Sequence, residues 1–268
     1  MTDKVARPWC CGFRVHGRTL VVGMPCSLAT GVYAGLGGIA GLGLAAGVCA
    51  YAAMSPGSQL FGRTLIAPSR PKELALTFDD GPNPAWTPDL LDILLLDGVK
   101  ATFFLIGKFA EAEPLLVRRI AEEGHLIGNH SWSHPNLAIT NASRVGEELR
   151  RTSEILEQIT GQPVHYFRPP FGGRRPAVLH AAHRLGMTTV AWNAMTNDWK
   201  EPSGDRIAQH LTGKIDQVTQ RGFAANIVLH DGSHHGLYAN RGPSVTAASL
   251  LVEHYKSTHR FVTLKEWQ

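Results

Sequence analysis

Cysteine is scarce in this chain, and it is confined to the first 49 of its 268 residues. The four cysteines are Cys10, Cys11, Cys26 and Cys49. The remaining sequence therefore has neither a disulfide framework nor a cysteine-ligated metal site. This pattern does not decide the cellular compartment, because exported enzymes can also lack disulfides.

Charged residues are missing altogether between Arg18 and Arg63. Residues 31–54 within this gap are rich in Gly, Ala, Leu and Val. Since about 20 apolar residues are enough to span a bilayer, we predict a transmembrane anchor over residues 19–54, after a basic tail over residues 1–18. The basic tail favours a cytoplasmic N-terminus. The chain is therefore expected in the cell membrane, crossing it once, with the residues that follow the anchor outside the cytoplasm.

Two alternatives to an uncleaved anchor remain open at this point. Residues 50–52, Ala-Tyr-Ala, resemble a signal-peptidase site, and Pro25 together with the length permits a hairpin arrangement. We favour the anchor because the apolar run is longer than the core of a usual signal peptide. The proline-containing residues 55–71 that follow are predicted to be a linker.

A strong charge imbalance is also missing from the rest of the chain. Lys and Arg exceed Asp and Glu by 26 to 22, but the first 70 residues hold six of the basic residues and only one acidic residue, Asp3. The body is close to neutral, and the composition gives no support to nucleic-acid binding.

Strand-like and helix-like stretches alternate along residues 72–268, which we predict to form one domain. The predicted strands are 73–79, 101–106, 125–129, 165–167, 188–192, 225–229 and 260–264. The predicted helices are one that begins at Thr87-Pro88, and 111–123, 141–160, 176–185, 205–220 and 245–255. This alternation is typical of parallel strands with helices outside them. It predicts a reduced (β/α) barrel, with an open doubly wound sheet as the alternative.

Polar side chains follow several of the predicted strands directly. They are Asp79-Asp80, His130 to His134, Arg168, Asp198-Trp199 and His230-Asp231. In a (β/α) barrel the ends of these strands lie at the same face, which is where such folds carry their active sites. His234 and His235 are predicted to lie in a loop at the rim of the resulting cleft.

The two histidines of the second cluster suggest a metal site. Taken alone, Asp79-Asp80 is equally compatible with a solvated turn, and a His pair four residues apart arises by chance in a sequence with 13 histidines. The strand end before His130 and the earlier carboxylate pair favour ligation. Two imidazoles and one carboxylate suit Zn²⁺ and other first-row divalent ions, and leave coordination positions open.

These segments together resemble the polysaccharide deacetylase family, carbohydrate esterase family 4 with its NodB-homology domain. The resemblance covers residues 72–268. It is carried by Thr77-Phe78-Asp79-Asp80-Gly81-Pro82, His130-Ser131-x-x-His134, Arg168-x-Pro170-Phe171, Asp198-Trp199 and His230-Asp231. It implies a distorted (β/α) barrel of seven or eight units and metal-dependent removal of N-acetyl, or sometimes O-acetyl, groups from sugars.

The resemblance implies that Asp80, His130 and His134 bind a divalent ion, with Zn²⁺ expected before Co²⁺, Ni²⁺ or Mn²⁺. Asp79 would be the general base, and Arg168 would keep it charged and oriented. The chemistry is consistent with these roles, because a bound metal lowers the pKa of its water to about 7 and a nearby carboxylate can take the proton.

The resemblance also implies an acid and an acetyl pocket. His230 would protonate the leaving amine, and pairing with Asp198 would raise the pKa of its imidazole. The backbone N–H of Phe171 would help to bind the oxyanion. Trp199 and Leu229 would form the walls of the pocket for the acetyl methyl group.

Three positions depart from the family pattern. Phe171 stands where the family usually has Tyr, Met195 where it often has Asp, and Val228 where it usually has Leu. The first change should matter little, because the oxyanion contact uses the backbone. Met195 puts in doubt part of the motif that contains Asp198-Trp199. Val228 makes the pocket for the acetyl methyl group slightly different in shape, because its side chain is smaller than that of Leu.

We expect a hydrolase that acts on N-acetylglucosamine residues of a polysaccharide, peptidoglycan before chitin-like oligomers. Hydrolysis of another non-peptide C–N bond, in a small amide or imide, is the alternative. A non-catalytic glycan-binding membrane protein is disfavoured, because the six residues central to the family's chemistry are all present: Asp79, Asp80, His130, His134, Asp198 and His230. The expected partners are the glycan and, through the N-terminal helix, the membrane. The sequence does not predict the oligomeric state.

Overall fold

The computed structural model describes residues 42–44 and 46–268. The chain divides into two compact units, Met1–Cys49 and Ala50–Gln268, and the second unit contains the sheet. Within the described ranges, none of the helices is both long enough and apolar enough to cross a bilayer. The predicted basic tail and most of the predicted anchor lie outside the described residues.

The second unit is built on one sheet of eight parallel strands. The strands are β1 (Glu73–Gly81), β2 (Thr102–Leu105), β3 (Leu126–Asn129), β4 (Tyr166–Phe167), β5 (Thr188–Thr189), β6 (Ala194–Met195), β7 (Ala225–His230) and β8 (Arg260–Phe261). Their order across the sheet is β5-β4-β3-β2-β1-β7-β6, and β8 pairs with the start of β1.

Helices connect these strands and cover the outer face of the sheet. The α-helices of this unit that follow β1 are α1 (Thr87–Leu96), α2 (Gly107–Ala112), α3 (Pro114–Glu122), α4 (Ala142–Thr160), α5 (Pro176–Arg184), α6 (Gly204–Gln220) and α7 (Gly242–Tyr255). Short 3₁₀ turns occur at Pro170–Gly172 and Leu264–Trp267.

The strand order is that of a barrel opened at one seam. Strands β1 to β5 follow one another in chain order, while β6 and β7 lie on the other side of β1 with β7 next to it. A doubly wound sheet would instead reverse its winding on the second side. The sheet is therefore a curled, partly open form of the predicted barrel, with its seam between β5 and β6.

β1 shows how the chain builds the two faces of this sheet. Leu74, Leu76 and Phe78 pack with the helices in the larger apolar cluster, whereas Ala75 belongs to the smaller cluster inside the curl. Because successive side chains on a strand alternate between faces, Asp79 shares the inner face with Ala75. Both faces are buried, as is usual for parallel sheets.

The structure differs from the predicted elements in several places. The helix predicted over 111–123 is two helices, α2 and α3, divided at Glu113 where Pro114 begins the second. Strand β6 was not predicted, since two residues carry no periodicity. The predicted strand 188–192 is regular only at Thr188–Thr189, because the sheet seam follows it.

The helix predicted over 141–160 is confirmed, with both ends explained by the sequence. The Asn141 side chain accepts a hydrogen bond from the Arg144 N–H at the start, and Gly161 ends the helix in the left-handed region at φ 69°. The stretch predicted as a linker, residues 55–71, belongs to the second unit and packs against its sheet. Leu65 pairs with Val190, and the Ala224 N–H donates to Pro68 O.

Candidate active site

Three of the predicted metal ligands meet at the carboxyl end of the sheet. Nε2 of His134 lies 3.1 Å and Nε2 of His130 lies 3.5 Å from Oδ1 of Asp80. One ligand atom from each residue lies within 4.8 Å of the other two. Metal–ligand bonds of about 2.0–2.2 Å place ligand atoms about 3.4 Å apart in a tetrahedral site. The spacing therefore fits a single first-row divalent ion.

The hydrogen bonding of these residues supports the same fit. Oδ1 of Asp80 is buried and has no hydrogen-bond donor among the described residues, although a buried oxygen of this kind ordinarily has one. Nδ1 of His130 lies 2.7 Å from the carbonyl oxygen of Arg168. Donating to that carbonyl leaves the Nε2 lone pair of His130 free to bind a metal.

The protonation states are those that a cation requires. Burial raises the pKa of Asp80, but the nearby imidazoles of His130, His134 and His234 outweigh burial and hold that pKa well below its ordinary value. Burial lowers the pKa of His134 more than the Asp80 carboxylate raises it. An ionised carboxylate thus faces a neutral imidazole.

Asp79 lies beside this cluster in a different environment. Its Oδ1 accepts a hydrogen bond from Nη1 of Arg168 at 2.8 Å, and its Oδ2 is 4.0 Å from Nε2 of His130. Arg168 is fully buried and also donates to Thr77 Oγ1 at 2.6 Å and to Asn226 Oδ1 at 3.1 Å. These hydrogen bonds fix the orientation of the Asp79 carboxylate and aim it at the cluster.

His230, the last residue of β7, faces the cluster from the neighbouring strand, where it pairs with Asp79 in register. Nδ1 of His230 lies 2.8 Å from Asp198 Oδ1, and the second oxygen of Asp198 accepts from the His230 N–H at 2.8 Å and from Ser244 Oγ at 2.7 Å. Burial lowers the pKa of His230, but the Asp198 charge and hydrogen bond outweigh burial and raise it to about 9.

Unusual backbone conformations concentrate at this site. Asp80, Ser131, His134 and Phe171 all have positive φ, between 56° and 70°. Residues other than glycine rarely adopt this region, at a cost of about 1–3 kcal/mol each. Such strain persists where the surrounding structure enforces it, and it commonly marks a functional site.

The residues surround a cleft of about 330 Å³ that opens to solvent. Phe171 and Trp199 stand at its mouth, 49% and 39% exposed. Trp192, Met195 and Val228 supply apolar wall. Together the cleft offers an apolar recess directly beside the Asp and His cluster.

The predicted position of Leu229 in this wall is wrong. Its side chain is buried in the apolar cluster between sheet and helices, and Val228 lines the cleft instead. Alternation along β7 is the reason, because Val228 and His230 share one face of the strand and Leu229 takes the other.

His234 and His235 line the cleft, where sequence reasoning had assigned them only to its rim. The His234 ring stacks on His134 at 4.5 Å, and its Nδ1 lies 3.6 Å from Asp80 Oδ2. The only sequence signal for His234 was its spacing from His230, which equals that of His130 and His134.

Asp231 was not predicted to have a role. It is buried, and Thr87 Oγ1 donates to it at 2.5 Å. Burial raises the pKa of Asp231 to about 7.

Comparison with known proteins gives three findings. Residues 67–190 match the family model described as polysaccharide deacetylase. A peptidoglycan-N-acetylglucosamine deacetylase of Bacillus cereus is 39% identical over 198 residues, which are 74% of this chain and 68% of that protein. A chitooligosaccharide deacetylase of Bradyrhizobium is 36% identical over 162 residues, 60% of this chain and 71% of that protein.

A solved structure agrees with them. The crystal structure of a peptidoglycan N-acetylglucosamine deacetylase in complex with 4-naphthalen-1-yl-N-oxidanyl-benzamide has a TM-score of 0.68 and 36% sequence identity to this chain. The match covers 75% of this chain and 90% of that one.

Proposed function

The chain belongs to the polysaccharide deacetylase family, and we propose that it hydrolyses the N-acetyl amide of N-acetylglucosamine residues in peptidoglycan. Chitin-like oligosaccharides are the next substrate class. One observation carries the proposal. A cluster of Asp80, His130 and His134 lies between an arginine-bound carboxylate, Asp79, and a histidine with a raised pKa, His230.

Asp80, His130 and His134 would hold a divalent ion, Zn²⁺ before Co²⁺, Ni²⁺ or Mn²⁺. When bound, such an ion polarises the amide carbonyl and activates water for attack at neutral pH. Their donor set and the free Oδ1 of Asp80 support this assignment.

Asp79 would accept the proton of the attacking water. A general base has to be ionised and within reach of that proton. The 2.8 Å bond from Arg168 orients Asp79 and leaves its second oxygen directed towards His130, 4.0 Å from Nε2. The expected contribution of such a base is a factor of about 10²–10⁴ in rate.

His230 would donate a proton to the leaving amine. An amine leaves poorly unless it is protonated, so the acid must still carry its proton at neutral pH. A pKa of about 9, set by Asp198 against the effect of burial, meets that requirement. Since Nδ1 of His230 is engaged by Asp198, Nε2 is the nitrogen that faces the substrate.

The acetyl group would occupy the apolar recess. The N–H of Phe171 would donate to the developing oxyanion, while Trp199 and Val228 would contact the methyl group. Val228 takes the place that we had predicted for Leu229.

We further propose that the N-terminal segment anchors the enzyme in the cell membrane with this unit outside the cytoplasm. The anchor is supported by its basic flank and by the part of the apolar, uncharged run that precedes the second unit, residues 19–49. An enzyme held there is next to peptidoglycan, which favours that polymer over a soluble substrate.

Acetate release tests the proposal. Metal-replete protein is incubated with peptidoglycan, with chitin oligomers and with a panel of small amides and imides, and the Asp79→Asn variant is run beside it. We expect acetate from peptidoglycan first, lost in the variant and after chelation. Turnover of small amides alone would replace the proposal with a small-molecule hydrolase. Glycan binding without any acetate would indicate a non-catalytic protein.

A further inference from the structure

The second unit begins with a stretch that packs behind the turn carrying Phe171. This stretch, residues 50–66, was predicted as the end of the anchor and the start of a linker, and we call it the N-terminal brace. Its first residues, 50–54, are helical, and Ala52 is buried. Its last residues pair beside β5, where Leu65 O accepts from the Ala191 N–H at 2.8 Å.

Arg174 connects the brace to the active-site turn. Its side chain is buried, with 2% of the residue exposed, and it forms no ion pair with any of the residues that the structure describes. Its guanidinium donates instead to the oxygens of the brace. These are the carbonyls of Ser55, Pro56 and Ser58, the last two at 3.3 and 3.2 Å, and Thr64 Oγ1 at 3.2 Å.

This arrangement completes the carboxyl end of the helix that contains residues 50–54. The last carbonyls of a helix lack partners within it and carry partial negative charge. The backbone N–H of Arg174 donates to Ala53 O at 2.8 Å, and the guanidinium donates to Ser55 O. A buried guanidinium is costly when its donors lack partners. The brace supplies acceptors for Nη1 and Nη2 of Arg174, so Arg174 and the brace stabilise each other.

The turn next to Arg174 is held from two sides. A Cβ added at Gly172, where φ is +69°, would lie 2.9 Å from the Trp192 ring and 3.7 Å from Met54 O. Gly173 N–H donates to Pro170 O at 2.9 Å. The brace therefore forms one wall of the space that the turn occupies. Phe171 lies within this turn at φ 56°, so its backbone depends on neighbours on both sides.

We propose that Arg174 is a positioning residue for deacetylation, which acts by holding the N-terminal brace against the turn that aims the Phe171 N–H. The inference rests on the proposed function, in which that N–H binds the oxyanion. It adds a part of the chain that precedes the barrel to the active site. The stretch between the predicted anchor and the barrel is then a structural component of the cleft, and it does not serve as a free tether.

The test uses the full chain with Arg174→Met, Arg174→Lys and the milder Thr64→Val. Arg63→Met is the matched control, because Arg63 lies in the same stretch and is exposed. Acetate release gives kcat and KM on chitin oligomers or peptidoglycan, and metal content is measured in parallel. Hydrogen exchange reports on the amides of residues 171–174.

We expect Arg174→Met to lower kcat by about 10²-fold, the order seen when an oxyanion donor is lost, with metal content and KM close to wild type. Exchange at residues 171–174 should become faster. Lysine should restore part of kcat, since it keeps the charge and one donor. Thr64→Val should give a smaller change in the same direction, and Arg63→Met none.

Two results would overturn the inference. One is faster exchange at the turn with kcat unchanged, which would make the brace a scaffold only. The other is a fall in metal content that accounts for the whole loss of activity. If the wild-type chain releases no acetate, the proposed function fails. Unchanged exchange at residues 171–174 in the Arg174 variants would separately show that Arg174 does not hold this turn.

Discussion

Nδ1 of His230 lies 2.8 Å from Oδ1 of Asp198, and the N–H of the same histidine donates to the other oxygen of that carboxylate at 2.8 Å. The two bonds join one carboxylate to both the ring and the backbone of one residue. The ring therefore keeps its orientation, and its pKa is raised to about 9 although burial alone would lower it.

The first prediction concerns pH. If His230 is the general acid, activity is present while it is protonated and falls as the pH rises through about 9. Asp198→Asn removes the charge and leaves burial, so the basic limb of the pH–rate profile should move to lower pH. We expect kcat to fall by about 10²–10⁴-fold. Ser244→Ala, which removes the 2.7 Å bond to Asp198, should give a smaller shift. A limb that stays in place in Asp198→Asn would exclude His230 as the acid.

The second prediction separates the two adjacent carboxylates. Asp80→Asn should lose bound metal. The loss in metal affinity should exceed the factor of about 10–100 that removal of an outer-shell partner costs. Asp79→Asn should retain metal and lose about 10²–10⁴-fold in kcat. Metal content, acetate release and thermal unfolding are measured on both variants. Equal metal loss in both would show that the two residues do not have separate roles.

The third prediction concerns the turn after His230. A Cβ at Gly232 would overlap the carbonyl oxygen of Asp80, whereas one at Gly236 in the same loop meets nothing within 4 Å. Gly232→Ala should cost about 1–3 kcal/mol or more in unfolding free energy and weaken metal binding, because the Asp80 backbone has to move. Gly236→Ala should change the unfolding free energy by less than about 0.5 kcal/mol. Denaturant unfolding and metal titration are measured on both variants. Similar losses of unfolding free energy in the two would contradict the close contact between Gly232 and the Asp80 carbonyl.

The fourth prediction concerns stability at low pH. His125 is buried, its Nδ1 accepts from the Ala101 N–H at 3.1 Å, and burial together with the charges of Lys100 and Arg119 lowers its pKa to about 4. The unfolded value is about 6.5. The unfolded chain therefore takes up the extra proton first, and the contribution of His125 is complete above about pH 6.5 and lost as the pH falls towards 4.

His125→Asn isolates this effect, since its carboxamide oxygen can accept the same bond. The difference in unfolding free energy between wild type and variant should shrink by about 3 kcal/mol between pH 7 and pH 4. The difference is the useful quantity, because carboxylates titrate in the same range. A constant difference would show that His125 has an ordinary pKa in the folded state.

Much of the fold and of the site could be predicted because the signals are local. Alternating apolar residues identify β1 as a strand, and polar residues at its end identify a candidate site. Parallel strands then bring Asp80 and His230 to the same edge. The alternation rule applied to His230 would also have selected Val228 over Leu229 for the cleft, so that error lay in its application.

Other features depend on where distant segments meet. The stack of His234 on His134 joins two loops 100 positions apart, and neither loop has a periodicity that predicts the contact. The division between α2 and α3 could have been predicted from Pro114. Strand β6, in contrast, is too short to show a sequence pattern, and it forms because it pairs with β7.

Residue types and their spacing alone determined the family, the barrel and the Asp and His residues of the site. Each of these follows from short patterns of side chains that are close together in the sequence. Only the tertiary structure decided that residues 50–66 brace the active-site turn. Arg174 binds there mainly to backbone carbonyls, up to 119 positions away. Every residue has such a carbonyl, so no pattern of side chains distinguishes the ones that Arg174 binds.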